Sequence, residues 1–141
     1  MSANYTFTII KPCAVKSGYV GAILSDIQNG GFEIAAMKFM QMTQSQAETF
    51  YQEHKERYFF NILMSYMISS PIVVAILKRD NAVEEYRKLI GATDPASAVE
   101  GTIRKKYAKS IMENAVHGSD NDEHAVAESN FFFSQCERFF L

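Results

Sequence analysis

The segment Asn114-Ala115-Val116-His117-Gly118-Ser119-Asp120 sets an amide, an imidazole, a hydroxyl and a carboxylate side by side, and Glu128 follows on the next expected helix. An ordinary imidazole, with a pKa of about 6.5, is mostly unprotonated at neutral pH and can attack a terminal phosphorus directly. Covalent capture would split a difficult transfer into two easier steps. A carboxylate on the far ring nitrogen, for which Glu128 is the nearest candidate, would fix the tautomer and stabilise the positive charge that grows during attack. Gly118 would let a phosphate approach the backbone. By spacing alone, a His beside Gly-Ser-Asp is more often a turn residue than a nucleophile, and a lone Glu more often a solvated helix residue.

Phosphate chemistry also needs cations. Lys11 at a strand end, Arg87 on a helix and Arg104 in a long loop could converge on a polyphosphate, Arg with forked donors and Lys with a compact charge. Phe59 could stack on a base, which would accept purines and pyrimidines alike, although an aromatic there also fits ordinary core packing. His54, His117 and His124 lack the i, i+4 or Cys-paired spacing of a zinc site, so a protein-bound metal is not expected. His124 reads as solvent-facing.

The chain of 141 residues, 48% apolar, has the size of one domain over residues 1–141 with one hydrophobic core. Lys and Arg number 14 against 16 Asp and Glu, and this mild acidity argues against a protein that grips nucleic acid through a basic surface. Cys13 and Cys136 show no CxxC spacing and read as reduced thiols of a cytoplasmic protein. No apolar stretch approaches the roughly 18 to 20 residues of a membrane span, so a soluble chain is expected.

The elements that would carry these residues can be read from periodicity. Tyr5 to Ile10 alternates as a strand with one face in the core, ended by Lys11-Pro12, and Val20, Ile23, Leu24 and Ile27 mark a helix stopping at Gly30-Gly31. Phe32 to Gln41 reads as a strand. Thr43 to Gln46 matches a capping box ahead of a helix with Ala47, Phe50, Tyr51 and His54 on one face, and a shorter helix spans Phe60 to Met67. Ile72 to Leu77 is a β-branched run buried on both faces, Asn81 can cap a helix that stops at Gly91, and residues 91–114 form a long loop with one short helical turn. A short strand near Asn114 to His117 and a helix from Asp122 to Phe132 complete the order. Pattern alone leaves open a parallel α/β sheet or a split β-α-β arrangement whose sheet is antiparallel with helices on one side.

Asn114-Ala-Val-His117-Gly-Ser-Asp120 resembles the active-site signature of the nucleoside diphosphate kinase family. Thr8-Ile-Ile-Lys11-Pro12, Phe50-Tyr51-Gln-Glu-His54, Gly91-Ala-Thr93-Asp-Pro95 and Gly101-Thr-Ile-Arg104 resemble further family segments, and the similarity runs from about Tyr5 to Phe133. The resemblance implies that His117 is phosphorylated in a ping-pong transfer, with Glu128 and Ser119 orienting it and Tyr51 at its border. Lys11 and Asn114 would meet the sugar hydroxyl and the transferred phosphate, and His54, Arg87, Thr93 and Arg104 would hold phosphates. Phe59 and Ile111 would enclose the base. It further implies Mg²⁺ carried mainly by the phosphates of nucleoside tri- and diphosphates, a hexameric or tetrameric homo-oligomer, and an α+β, ferredoxin-like fold with helices packed on a four-stranded antiparallel sheet. Cys13, Tyr58, Ser70, Glu100 and Lys105-Lys106 depart from the usual family residues, and none is a catalytic group. Two rivals are a regulatory relative without catalysis, against which Lys11, Arg87, Arg104, Asn114 and His117 all stand, and a nucleic-acid-binding role.

Overall fold

The computed structural model describes residues 4–141. Its sheet contains β1 (Tyr5–Ile10), β2 (Glu33–Met40), β3 (Ile72–Lys78) and β4 (Val116–Gly118) in the order β2-β3-β1-β4, with every neighbouring pair antiparallel. The open choice of topology thus resolves to the ferredoxin-like arrangement. Helices α1 (Pro12–Lys16), α2 (Val20–Asn29), α3 (Gln44–Phe50), α4 (Phe60–Met67), α5 (Ala82–Ile90), α6 (Ile103–Tyr107) and α7 (Asp122–Phe132) connect and cover the strands.

Helices lie on both faces of the sheet, not on one. Phe7, Ile9, Ile72, Val74 and Ile76 pack with Ala47, Met64 and Phe132, whereas Ile10, Val73, Ala75 and Leu77 pack with Ile23, Ile27, Tyr86 and Ile90. The unbroken apolar run of β3 demands this, because each face of a central strand must be buried. β1 follows suit. The alternation that suggested one wet face places Thr6 and Thr8 in the interior, both fully buried.

Local chemistry explains most element ends. Thr43 and Gln46 form the expected reciprocal capping box at α3. The helix closes at Phe50, however, and His54 sits in a separate 3-10 turn, Gln52–His54, so the expected single face is broken at the buried Tyr51. Pro12 does more than end β1: it occupies the first turn of α1, where its missing N–H costs nothing. Asn81 stands before α5 with a left-handed φ of 53°, and its amide reaches Glu84 at 3.0 Å instead of capping the backbone. The long loop holds a 3-10 turn, Pro95–Ser97, and α6, whose first turn is capped by Thr102.

Gly118 has a packing role. A Cβ there would lie 3.0 Å from Ile90 Cδ1 and 3.1 Å from Tyr86 Cδ2, so the bare backbone is what lets α5 close against β4. Both neighbours are buried and cannot yield freely. Gly118→Ala should therefore destabilise the fold by about 1–3 kcal/mol, the usual cost of overpacking; an unchanged denaturant midpoint would show that the contact relaxes.

Candidate active site

β4 carries His117 out of a tight turn. The N–H of Val116 donates to the carbonyl of Asn114 at 2.9 Å across Ala115, whose φ is 73°, a left-handed conformation that costs a non-glycine residue free energy. Lys11 N–H donates 2.8 Å to the Ala115 carbonyl and ties this turn to the end of β1. Strain of this kind persists only where the surroundings over-determine it, and here it sits two residues before the imidazole.

The ring of His117 is held from α7. Its Nε2 lies 2.8 Å from Glu128 Oε1, and Ser119 Oγ donates 2.7 Å to the same oxygen. With Nε2–H donating to the carboxylate, Nδ1 keeps the free lone pair. Phe7 and Phe50 flank the ring, with centroids at 6.2 Å and 5.7 Å. Neither aromatic stands out by residue type as a site residue, because both also belong to the core periodicity.

Two buried cations lie beside this group. Lys11 Nζ donates 2.9 Å to Asn114 Oδ1, and burial, reinforced by Arg104, lowers its pKa from 10.5 to about 8. Arg104 is also buried: one terminal nitrogen donates to the Gly91 carbonyl at 3.0 Å and the other to the Val116 carbonyl at 2.9 Å. Burial depresses its pKa too, with Tyr86 opposing and Arg87 adding to the shift. Tyr51 Oη, His54 Nδ1 and Arg104 Nε are among the buried polar atoms that have no hydrogen-bond partner among the described residues. Such groups are costly unless something polar reaches them. Burial, followed by the charge of Glu128, raises the Tyr51 phenol well above its usual pKa, so it keeps its proton and can donate a hydrogen bond.

A family model described as nucleoside diphosphate kinase matches residues 4–138. The chain belongs to the nucleoside diphosphate kinase family. The family member from Lawsonia intracellularis is 57% identical over 135 residues, covering 96% of this chain and 98% of the relative. That from Flavobacterium psychrophilum is 54% identical, covering 99% of this chain and 100% of the relative. Among solved structures, the nucleoside diphosphate kinase of Aquifex aeolicus superposes with a TM-score of 0.93 at 37% identity, covering 96% of this chain and 98% of the other. That of Halobacterium salinarum, solved in complex with CDP, gives 0.93 at 32% identity, covering 97% of this chain and 91% of the other. The chain is accordingly a phosphotransferase that moves the γ-phosphoryl of a nucleoside triphosphate to a nucleoside diphosphate by the family's ping-pong route, a kinase reaction that generally needs a divalent metal.

Not every site residue expected of a nucleoside diphosphate kinase is drawn into the central group. Arg87 on α5 pairs with Asp120 at 2.8 Å, the two side chains 50% and 69% exposed. Phe59 is half-buried at the start of α4, its ring 6.1 Å from that of His54. Thr93 and Ile111 are exposed. His124 is not simply solvent-facing: its Nε2 comes within 3.5 Å of Glu53, and its Nδ1 within 3.9 Å of Asp120. Among the departures, Lys106 has a visible role, since it meets Asp26 at 2.6 Å while Tyr107 Oη donates to the same carboxylate at 3.0 Å, fastening α6 to α2. Nothing in the structure explains Tyr58, which is 95% exposed.

Proposed function

We propose that the phosphoryl group passes through His117. Nδ1 attacks the γ-phosphorus, the N–P bond forms as the bond to the bridging oxygen breaks, and that oxygen leaves with its electron pair on the nucleoside diphosphate. Glu128 stabilises the imidazolium that results, and Ser119 holds Glu128. An incoming diphosphate then takes the group back by the reverse displacement. The observation that carries this reading is the 2.8 Å contact between His117 Nε2 and Glu128, which leaves only Nδ1 as nucleophile.

Lys11 supplies charge to the transferred phosphoryl, with Asn114 orienting it. Arg104 and His54 meet the phosphates through the unpartnered Nε and Nδ1, and Tyr51 donates from its free hydroxyl. Arg87 exchanges Asp120 for phosphate when nucleotide enters, Thr93 adds a hydroxyl, and Phe59 and Ile111 enclose the base. Mg²⁺ would be carried mainly on the phosphates, whose charge Lys11, Arg87 and Arg104 share. The metal would neutralise phosphate charge there.

Residues 1–141 form one domain in this reading. Among the described residues no helix is long and apolar enough to cross a membrane. Free Cys13 and Cys136 support a cytoplasmic setting. A homo-oligomer, hexamer or tetramer, is supported by β2, an edge strand that leaves Met37 51% and Phe39 67% exposed.

Incubation with γ-labelled ATP and Mg²⁺ should place acid-labile label on the protein, and an unlabelled diphosphate should discharge it as labelled triphosphate. Label that never leaves nucleotide would overturn the covalent route.

A further inference from the structure

We propose that Thr8 and Tyr86 are positioning residues for the nucleophile, a pair of buried hydroxyls that fixes the main chain of His117 from the sheet face opposite its imidazole. This rests on the reading of His117 as the phosphorylated residue. Thr8 Oγ1 donates to the carbonyl of His117 at 2.8 Å and lies 2.6 Å from Tyr86 Oη. The threonine has one hydroxyl hydrogen, so if it serves the His117 carbonyl the phenol must be the donor in the second bond. A direction therefore runs from α5 through β1 to β4. Both side chains are fully buried, and burial raises the Tyr86 phenol well above its usual range, so the donor keeps its proton at any working pH.

A second observation places the same tyrosine against the same strand. The ring of Tyr86 packs on the bare backbone of Gly118, where a Cβ would come within 3.1 Å of Cδ2. α5 thus grips β4 at the residue after His117 with its ring and at His117 itself, through Thr8, with its hydroxyl. β4 needs such support. It is three residues long, lies at the sheet edge and is entered through the strained Ala115. Glu128 orients the ring but cannot set the height of the strand that bears it. The Tyr86–Thr8 pair supplies that second constraint, and a nucleophile misplaced by about 1 Å loses on the order of a hundredfold in rate.

The test uses Thr8→Val, Tyr86→Phe, their double variant and Thr8→Ser, comparing the single-turnover rate of phosphoenzyme formation, ADP affinity and melting temperature. Thr8→Val alone strands a buried phenol and should lose both stability and rate. The double variant also removes the stranded phenol, so only the Thr8 bond to the His117 carbonyl is missing and stability should recover part of the way toward that of the parent. Its phosphorylation should stay about tenfold to a hundredfold slow with ADP affinity unchanged, because no phosphate-binding cation is touched. Thr8→Ser keeps the hydroxyl and should restore the rate. A double variant phosphorylated at the parental rate, or one whose ADP affinity falls in step with its rate, overturns the proposal. Phosphoenzyme surviving in His117→Ala would instead remove the underlying reading.

Discussion

His117→Ala is expected to lose turnover by at least about four orders of magnitude in kcat/KM, the scale seen when a covalent nucleophile is removed. No neighbour can replace it. Ser119 Oγ is committed to Glu128 at 2.7 Å, and the Tyr51 phenol is held protonated by burial and by Glu128. Direct transfer between two nucleotides would require both sets of phosphates to occupy one cleft together, against their mutual repulsion. Nucleotide binding should survive, because Lys11, Arg104 and Arg87 are anchored through Asn114, the Gly91 and Val116 carbonyls and Asp120, none of which involves the imidazole. The measurements are phosphoenzyme labelling with γ-labelled ATP and ADP affinity by calorimetry. Turnover within tenfold of the parent would take His117 out of the chemistry, and lost ADP affinity would mean that the ring has a structural role.

What could be read in advance follows the range over which each signal acts. β1, α4 and α7 have the expected limits because their apolar period and boundary residues are local. The pairing of His117 with Glu128 was legible through the family signature, since spacing alone favours a turn residue and a solvated helix residue. Backbone partners were not. The carbonyls of Gly91 and Val116 that receive Arg104 look the same in every residue, so the burial of that guanidinium could not be foreseen. The packing role of Gly118 was hidden for a similar reason, because whether a missing side chain makes room for a helix depends on what lies across the fold, here Tyr86 and Ile90. Tyr86 itself follows the apolar period of α5, and only the 2.6 Å approach to Thr8 shows that its hydroxyl has a task.

Lys11→Gln should lower kcat/KM by about a hundredfold to a thousandfold, the loss typical when one preorganised charge is withdrawn from a transferring group. Gln can still offer an amide to Asn114 Oδ1, so the loss reports charge more than geometry. The same substitution should raise stability at neutral pH. In the folded chain the ammonium has a pKa of about 8, chiefly because it is desolvated and secondly because Arg104 repels it, against 10.5 for a lysine in water. Between those two values the unfolded chain holds a proton that the folded chain has released, so the parent gains stability as pH rises through the window. Below it both states are charged and the full cost of burying the cation is felt, on the order of 3 kcal/mol for a shift of this size. Lys11→Gln, carrying no such charge, should lack that rise. Activity moves the other way: kcat/KM of the parent should fall above pH 8 as the free enzyme loses the cation, while kcat, reporting the nucleotide complex, should fall only at higher pH, because bound phosphate favours the ammonium. Melting temperature and both kinetic profiles, followed from about pH 7 to about pH 10.5, test the two effects together. An alkaline limb in kcat/KM identical in parent and variant would assign that titration to another group and leave the Lys11 ammonium without the role given to it here.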